Sequence, residues 1–295
     1  MKILIRRMII FVLAVLLING CIPDPIDIDV HPSEPRLVIS SYIIPQKIMT
    51  VLLTKSFSPL EPLSNQDSIA QDEIDKILVS NAFVTVSYNN RVDTLKMLTA
   101  GVYVSTNTLL LDYGTYTLYA YDPSTGFSIT AVTNLLPQVK FDTVYPSVVK
   151  NPGDTLVSIN YEISDNLNEE NYYVANFILK QSSKGANLDI SSYFGNGSNK
   201  ILSVFDLLND ASFTDGKLIK TTFISPMAKA SDTVAVELAN ISKGYYEFLT
   251  AYKRSSKLIN QLTGEPINYP SNVQNGYGYF NAHYPDGRIF FLKDY

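Results

Sequence analysis

The chain has 295 residues, of which 46% are hydrophobic, 12% aromatic and 17% charged, with a net charge of −5. This is enough apolar material for a sizeable core and enough length for two domains, and with no long basic run it disfavours a nucleic-acid partner. One cysteine and two histidines leave no disulfide framework and only a poor ligand set for zinc.

The N-terminus carries Lys2, Arg6 and Arg7, an apolar run from Met8 to Ile18, and then Asn19-Gly20-Cys21. A basic stretch, a short apolar stretch and a small residue before a cut form the secretory pattern, and the run is too short to span a bilayer stably. Ile18-Asn19-Gly20-Cys21 is similar to the lipobox of diacylglyceryl-modified lipoproteins, with Asn19 a less usual occupant. Residues 1–20 are therefore expected to be a signal peptide. Cys21 is the expected lipidation site, and acyl chains on it would partition into the lipid bilayer at about 0.8 kcal/mol per buried methylene.

Residues 21–35 read as an acidic, proline-rich tether. Pro23, Pro25, Pro32 and Pro35 prevent a helix, while Ile26, Ile28 and Val30 alternate with Asp27 and Asp29 and permit a short edge strand. Acidic residues soon after the cysteine resemble the surface-export signal of Bacteroidota lipoproteins; the alternative is an ordinary solvated linker.

From Arg36 to Pro137 the pattern is strand upon strand. Leu37–Ile44 and Met49–Thr54 read as a hairpin, and Ser56–Asp75 as a long exposed loop. Ala82–Tyr88 alternates as a half-buried strand, and Asn89-Asn90 is a tight-turn signal leading into Arg91–Leu95. Gly101–Val104, Gly114–Tyr121 and Phe127–Val132 complete the set. Short strands with regular turn signals indicate a sandwich.

From Val139 onward, Thr155–Ile163, Tyr172–Lys180 and Asp232–Leu238 read as strands, the first two joined by an acidic turn over Ser164–Asn171. In that turn Asp165, Asn166, Asn168, Glu169 and Glu170 offer oxygens without the register of a calcium loop, so a solvated turn is favoured over a bound ion. Ser242 is placed to cap a helix in which Tyr245, Phe248, Leu249 and Tyr252 recur at helical spacing, with Lys253, Arg254 and Lys257 suiting its C-terminal end. That stripe is expected to pack on a sheet.

Glu265–Asp286 combines three prolines, Gly276 and Gly278 with Tyr269, Tyr277, Tyr279, Phe280 and Tyr284. These five rings are the candidate ligand-binding residues, since glycine beside aromatics suits either a carbohydrate or peptide platform or a tight structural crossing. The crossing is the stronger reading. Gly276-Tyr277-Gly278 lacks the third glycine and the helix of a dinucleotide loop. His31 lies in the tether, His283 has no partner that sequence assigns, and no Gly-x-Ser-x-Gly elbow is present, so no catalytic residue, metal site or cofactor is expected. The 20 tyrosines, set against no tryptophan, fit either strand interiors or a recognition surface.

Ala82-x-Val84-x-Val86, Gly101-x-Tyr103 and Gly114-x-Tyr116-x-Leu118 resemble the carboxypeptidase regulatory-like or transthyretin-like β-sandwich module. Over nearly its whole length the chain resembles a Bacteroidota lipoprotein family of unknown function. The resemblance runs through the spacer after Cys21, Pro35–Ile39, Leu52–Ser56, Phe213–Lys217, Tyr245–Leu249 and Glu265–Phe280. Pattern and resemblance together predict a mainly β protein, with an N-terminal Ig/transthyretin-like β-sandwich over 36–137. A β-rich C-terminal domain with one or two short helices is predicted over 138–295. Members of that family tend to be encoded beside TonB-dependent receptors. The resemblance therefore implies a non-catalytic lipoprotein of the outer membrane, facing the exterior and partnering a TonB-dependent β-barrel transporter. The alternative is an adhesin or envelope-structural protein that binds glycan or protein.

Overall fold

Alternating side chains of the first half become strands with one buried face in the computed structural model, which describes residues 34–44, 48–56, 76–108, 113–151, 154–180, 202–255 and 268–295. Cys21, its tether as far as Ser33 and nearly all of the expected loop at Ser56–Asp75 lie outside the described residues. The first half supplies β1 (Leu37–Ile43), β2 (Ile48–Lys55), β3 (Phe83–Tyr88), β4 (Arg91–Thr99), β5 (Val102–Thr108), β6 (Gly114–Asp122) and β7 (Phe127–Leu135). The second supplies β8 (Thr143–Asn151), β9 (Asp154–Ser164), β10 (Tyr172–Lys180), β11 (Leu202–Asn209), β12 (Lys217–Ala228) and β13 (Thr233–Asn240). Helix α1 (Lys243–Ser255) follows, then β14 (Val273–Gln274), β15 (Tyr277–Ala282) and β16 (Asp286–Phe291). The protein is mainly β, with its sheets in a sandwich or barrel-like arrangement.

Local signals settle the hairpins. β1 and β2 pair antiparallel. Asn89 and Asn90, at φ 44° and 60°, make the turn between β3 and β4, because hairpin twist demands positive φ at both central positions and asparagine tolerates it. Between β6 and β7 the Asp122 carboxylate accepts from Ser124 N (2.9 Å), Ser124 Oγ (2.6 Å) and Thr125 Oγ1 (3.0 Å). Lys55 of β2 reaches the same buried carboxylate at 3.3 Å. Burial opposes ionisation of Asp122, yet these bonds outweigh it and hold its carboxyl below the usual range. A second latch is Tyr103, whose phenol donates to Val79 O and accepts from Ala82 N, both at 2.8 Å.

The first sheet has nine strands in the order β14-β7-β6-β3-β4-β5-β2-β1-β15. Its two end strands are consecutive in the chain, separated by only Asn275 and Gly276, so the two ends of the sheet lie side by side, although no ladder joins β14 to β15 among the described residues. Around the enclosed core stand Leu37, Val51, Val84, Tyr116 and Leu118, joined by Phe280 and Ala282 from the far C-terminus. The approach of the two ends gives this sheet a barrel-like curl around its core.

The second half forms a four-stranded sheet, β11-β10-β13-β16, and a three-stranded one, β12-β9-β8. The acidic turn after Ser164 thus carries the chain from one sheet to the other, since β9 and β10 belong to different sheets. Val157, Ile159, Tyr161 and Ile163 of β9 share a core with Ala175, Phe177 and Leu179 of β10. Strand β8 includes Pro146, tolerated because among the described residues β8 is an edge strand bonded only to β9. The first four residues of β10 are all buried, on alternate faces, because α1 covers the outer face. Tyr245, Tyr246 and Leu249 pack there against Tyr172, Val174 and Ile241. This is the expected stripe, except that Tyr246 takes part and Tyr252 is exposed.

One carboxylate pins the two sheets. Asp206 of β11 accepts from Tyr161 of β9 at 2.8 Å, from Thr222 of β12, and pairs with Lys220 at 3.0 Å. Burial disfavours its charge, but the bonds from Thr222, Lys220 and Tyr161 prevail and its pKa lies below the usual value. Burial and the adjacent carboxylate push the Tyr161 phenol up. Asp206→Asn is expected to lower stability by about 2 kcal/mol, because it leaves Lys220 without its counter-charge in a part-buried site. Urea unfolding at pH 7 measures this; an unchanged midpoint would show that the pin is dispensable.

Candidate functional site

The C-terminal aromatic segment acquires its geometry from β15, which runs parallel to β1 with Val38 opposite Tyr277, Ile39 opposite Gly278 and Ser40 opposite Tyr279. The approach is close. A Cβ on Gly276 would stand 2.5 Å from Leu37 O and 2.6 Å from Ile129 Cγ2, atoms of β1 and β7. At Gly278, φ is 98° and a Cβ would overlap the Ile39 carbonyl oxygen. Only glycine fits either position.

Asn272 completes the fastening. Its Nδ2 donates to Val132 O (2.8 Å) and Phe280 O (2.7 Å), and its Oδ1 accepts from Phe280 N at 2.9 Å. One side chain therefore ties β7 to β15. A lone asparagine between two strands carries no periodic signal, so this role is not readable from sequence.

The five candidate rings are distributed among different environments. Phe280 is fully buried in the first core, and Tyr284 is half-buried against it. Tyr279 is buried beneath α1, with its ring 5.2 Å from Tyr245 and 5.3 Å from Phe248. Its phenol bonds Ser242, the residue whose hydroxyl also accepts from Tyr245 N at 3.3 Å as the helix cap. Tyr269, 40% exposed, lies 6.0 Å from Phe248. Tyr277, 48% exposed, carries the Arg36 guanidinium 5.6 Å above its ring. Phe248 thus joins Tyr269 to Tyr279, while Tyr277 faces the first described residues of the chain. The two rings with open surface are Tyr269 and Tyr277, and the helical stripe and the glycine-aromatic segment form one continuous packing unit.

Where β15 gives way to β16, Asn281, His283 and Asp286 are polar and buried. His283 Nδ1 lies 2.9 Å from Asn281 Nδ2, and Asn281 Oδ1 has no hydrogen-bond partner among the described residues. Burial pushes the imidazole pKa down to about 4, so it is neutral at pH 7. This crossing is fastened to the one between β7 and β8, because Gln138 Nε2 donates to Pro285 O (2.9 Å) and Phe141 N to Asp286 Oδ2 (3.1 Å).

The acidic turn uses its oxygens locally. Asp165 accepts the Tyr173 phenol at 2.5 Å, and Glu170 accepts the Tyr172 phenol at 2.5 Å and pairs with Lys243 at 3.4 Å. Those two bonds, that of Tyr172 first, hold the Glu170 carboxyl below its usual value. Among the described residues no group of three or more His, Cys, Asp or Glu side chains is placed to hold a metal ion. No described helix is long and apolar enough to cross a membrane.

Two measurements probe this region. His283 is neutral and buried in the folded state with its pKa below the unfolded value of 6.5, so its contribution is complete above that value and is lost as pH falls toward about 4. The loss amounts to about 3 kcal/mol. Denaturant titrations at pH 7 and pH 4 should record it, and the drop should shrink in His283→Gln; an equal drop in both proteins would remove His283 as its source. Gly278→Ala is expected to cost more than about 3 kcal/mol, seen as a lowered melting temperature, because it combines positive φ with backbone overlap.

Comparison with known proteins places the chain by family. No curated protein matches it in sequence. Among solved structures it is similar to trypsin-activated alpha-2-macroglobulin from Escherichia coli, at 12% identity and a TM-score of 0.22 over 71% of this chain and 15% of that one. It is also similar to a DUF3823 family protein from Parabacteroides merdae, at 10% identity and a TM-score of 0.19 over 70% of this chain and 91% of that one. The chain thus spans well under a quarter of the macroglobulin's length. The family model of the domain of unknown function DUF4249 matches residues 23–286, and the chain belongs to that family.

Proposed function

We propose that the protein is a lipid-anchored, non-catalytic binding protein on the outer face of the outer membrane, serving as accessory to a TonB-dependent β-barrel transporter. The observation that carries this reading is Cys21, the only cysteine, set between a signal-like segment and an acidic spacer. From Cys21 to Pro35 the chain extends no further than about 50 Å, so an anchored body works close to the bilayer. The fold suits such loading. The tether leads into β1, which is hydrogen-bonded on both sides, by β2 and by β15, so tension applied at its N-terminus is shared between two ladders.

Metabolic labelling with a palmitate analogue tests the anchor. Label and membrane fractionation are expected in the wild type and lost in Cys21→Ala; an unlabelled wild-type chain would overturn the anchor. Protease treatment of intact cells should digest the protein if it faces outward. Cross-linking after gentle detergent extraction should recover a large β-barrel protein with it, and recovery of the single chain alone would count against the transporter partnership.

A further inference from the structure

The outward face of the first sheet carries three rings that the closing segment does not use. We propose that this face, through Phe83, Tyr119 and Tyr121, binds a neutral glycan chain. Alternation places Val84, Val86, Leu118 and Ala120 in the core and the three aromatic residues on the opposite side, 51%, 38% and 37% exposed respectively. Register assembles them into one patch. Phe83 stands opposite Tyr121 across the β3–β6 pair, and Tyr119 lies two residues from Tyr121 along β6. Such neighbours are about 5 Å apart across strands and about 7 Å apart along one, so the rings form a compact, flat group.

Hydroxyls flank the rings. Tyr119 stands between Thr85 of β3 and Thr130 of β7, while Ser128 stands opposite Tyr121. No outward position of β3 (83, 85, 87), β6 (115, 117, 119, 121) or β7 (128, 130, 132, 134) bears a charge, in a chain that carries 28 acidic residues. Phosphate and carboxylate ligands therefore find no cation on these three strands, the neighbouring one being the exposed Lys96 of β4 beside Phe83, and a cationic peptide finds no acid on them. A sugar ring presents an apolar C–H face to an aromatic ring and hydroxyls at its edge, and rings flanked by Thr and Ser supply both kinds of contact. The outward face of the three-stranded sheet differs in kind, with Ile219 and Phe223 exposed beside a Lys217–Glu162 ion pair.

This ligand class extends the reading of the protein as a surface binding protein and rests on it for biological context, whereas the measurement does not depend on the anchor. The full chain, purified in detergent, is run in native gels containing a soluble β-glucan, a xylan, a mannan or an α-glucan, with polygalacturonate as the acidic comparison. At least one neutral polysaccharide is expected to retard the wild type, and the Tyr119→Ala/Tyr121→Ala double variant should weaken that binding by roughly tenfold or more. Circular dichroism and melting should be unchanged in the double variant, since both rings are outside the core. Tyr145→Ala, on the exposed face of β8, should bind as the wild type does. The proposal is overturned if no neutral polysaccharide retards the wild type, if polygalacturonate retards it equally, or if the double variant binds normally. Equal weakening by Tyr145→Ala would overturn it too.

Discussion

The close approach of Tyr277–Ala282 to Leu37–Ile43 is the constraint on which the rest of the structure depends. It needs glycine at 276 and 278, because backbone atoms of β1 occupy the space a side chain would take. It brings the two ends of the first sheet side by side, and it brings Phe280 and Ala282 into a core whose other fully buried residues all lie before 136. The first core is therefore incomplete until nearly the whole chain is present. A contact between strands so far apart in sequence carries a large loop-closure cost and forms slowly unless other contacts first bring the ends together. The second pair of sheets does that. Its last strand, β16, follows β15 after three residues, so docking β16 on β13 delivers β15 to β1.

The tyrosines divide along the same lines. Tyr103, Tyr161, Tyr173 and Tyr279 are buried with their phenols bonded to a carbonyl, a carboxylate or a hydroxyl, and burial raises the pKa of each. These are large apolar side chains with one polar end that the fold must satisfy. Tyr119, Tyr121, Tyr145 and Tyr277 point outward. A high tyrosine content thus serves packing and surface at once, and the strand alternation decides which ring does which.

The proposed attachment and the proposed recognition face lie on different segments of the chain. The proposed anchor acts through β1, a strand held on both sides, whereas the uncharged aromatic face is built by β3, β6 and β7. A binding face on rigid, paired strands needs little ordering on contact, which conserves affinity.

Much of the fold is legible in the chain itself. Period-two alternation in 83–88 and 114–122, the Asn89-Asn90 turn, the Ser242 cap and the aromatic stripe of α1 are local signals, and each element formed where its signal lay. Strands β8, β11 and β12 have no counterpart among the strands read from sequence and are strands through their pairing, with a proline inside β8 and a bulged end in β12. For the candidate site, composition marked residues 265–286 as unusual and offered both a crossing and a platform. Sequence alone determined the β class, the glycine-aromatic character of the C-terminus, the lone Cys21 and the absence of charge at alternate positions of three strands, because these depend on residue identity and spacing. Only the tertiary structure decided that β14 and β15 add to the two ends of the first sheet, that Phe280 lies inside while Tyr277 lies outside, and that Asp206 joins two sheets. Those outcomes depend on which distant strands hydrogen-bond, and that choice is settled by the packing of the whole chain rather than by any local pattern.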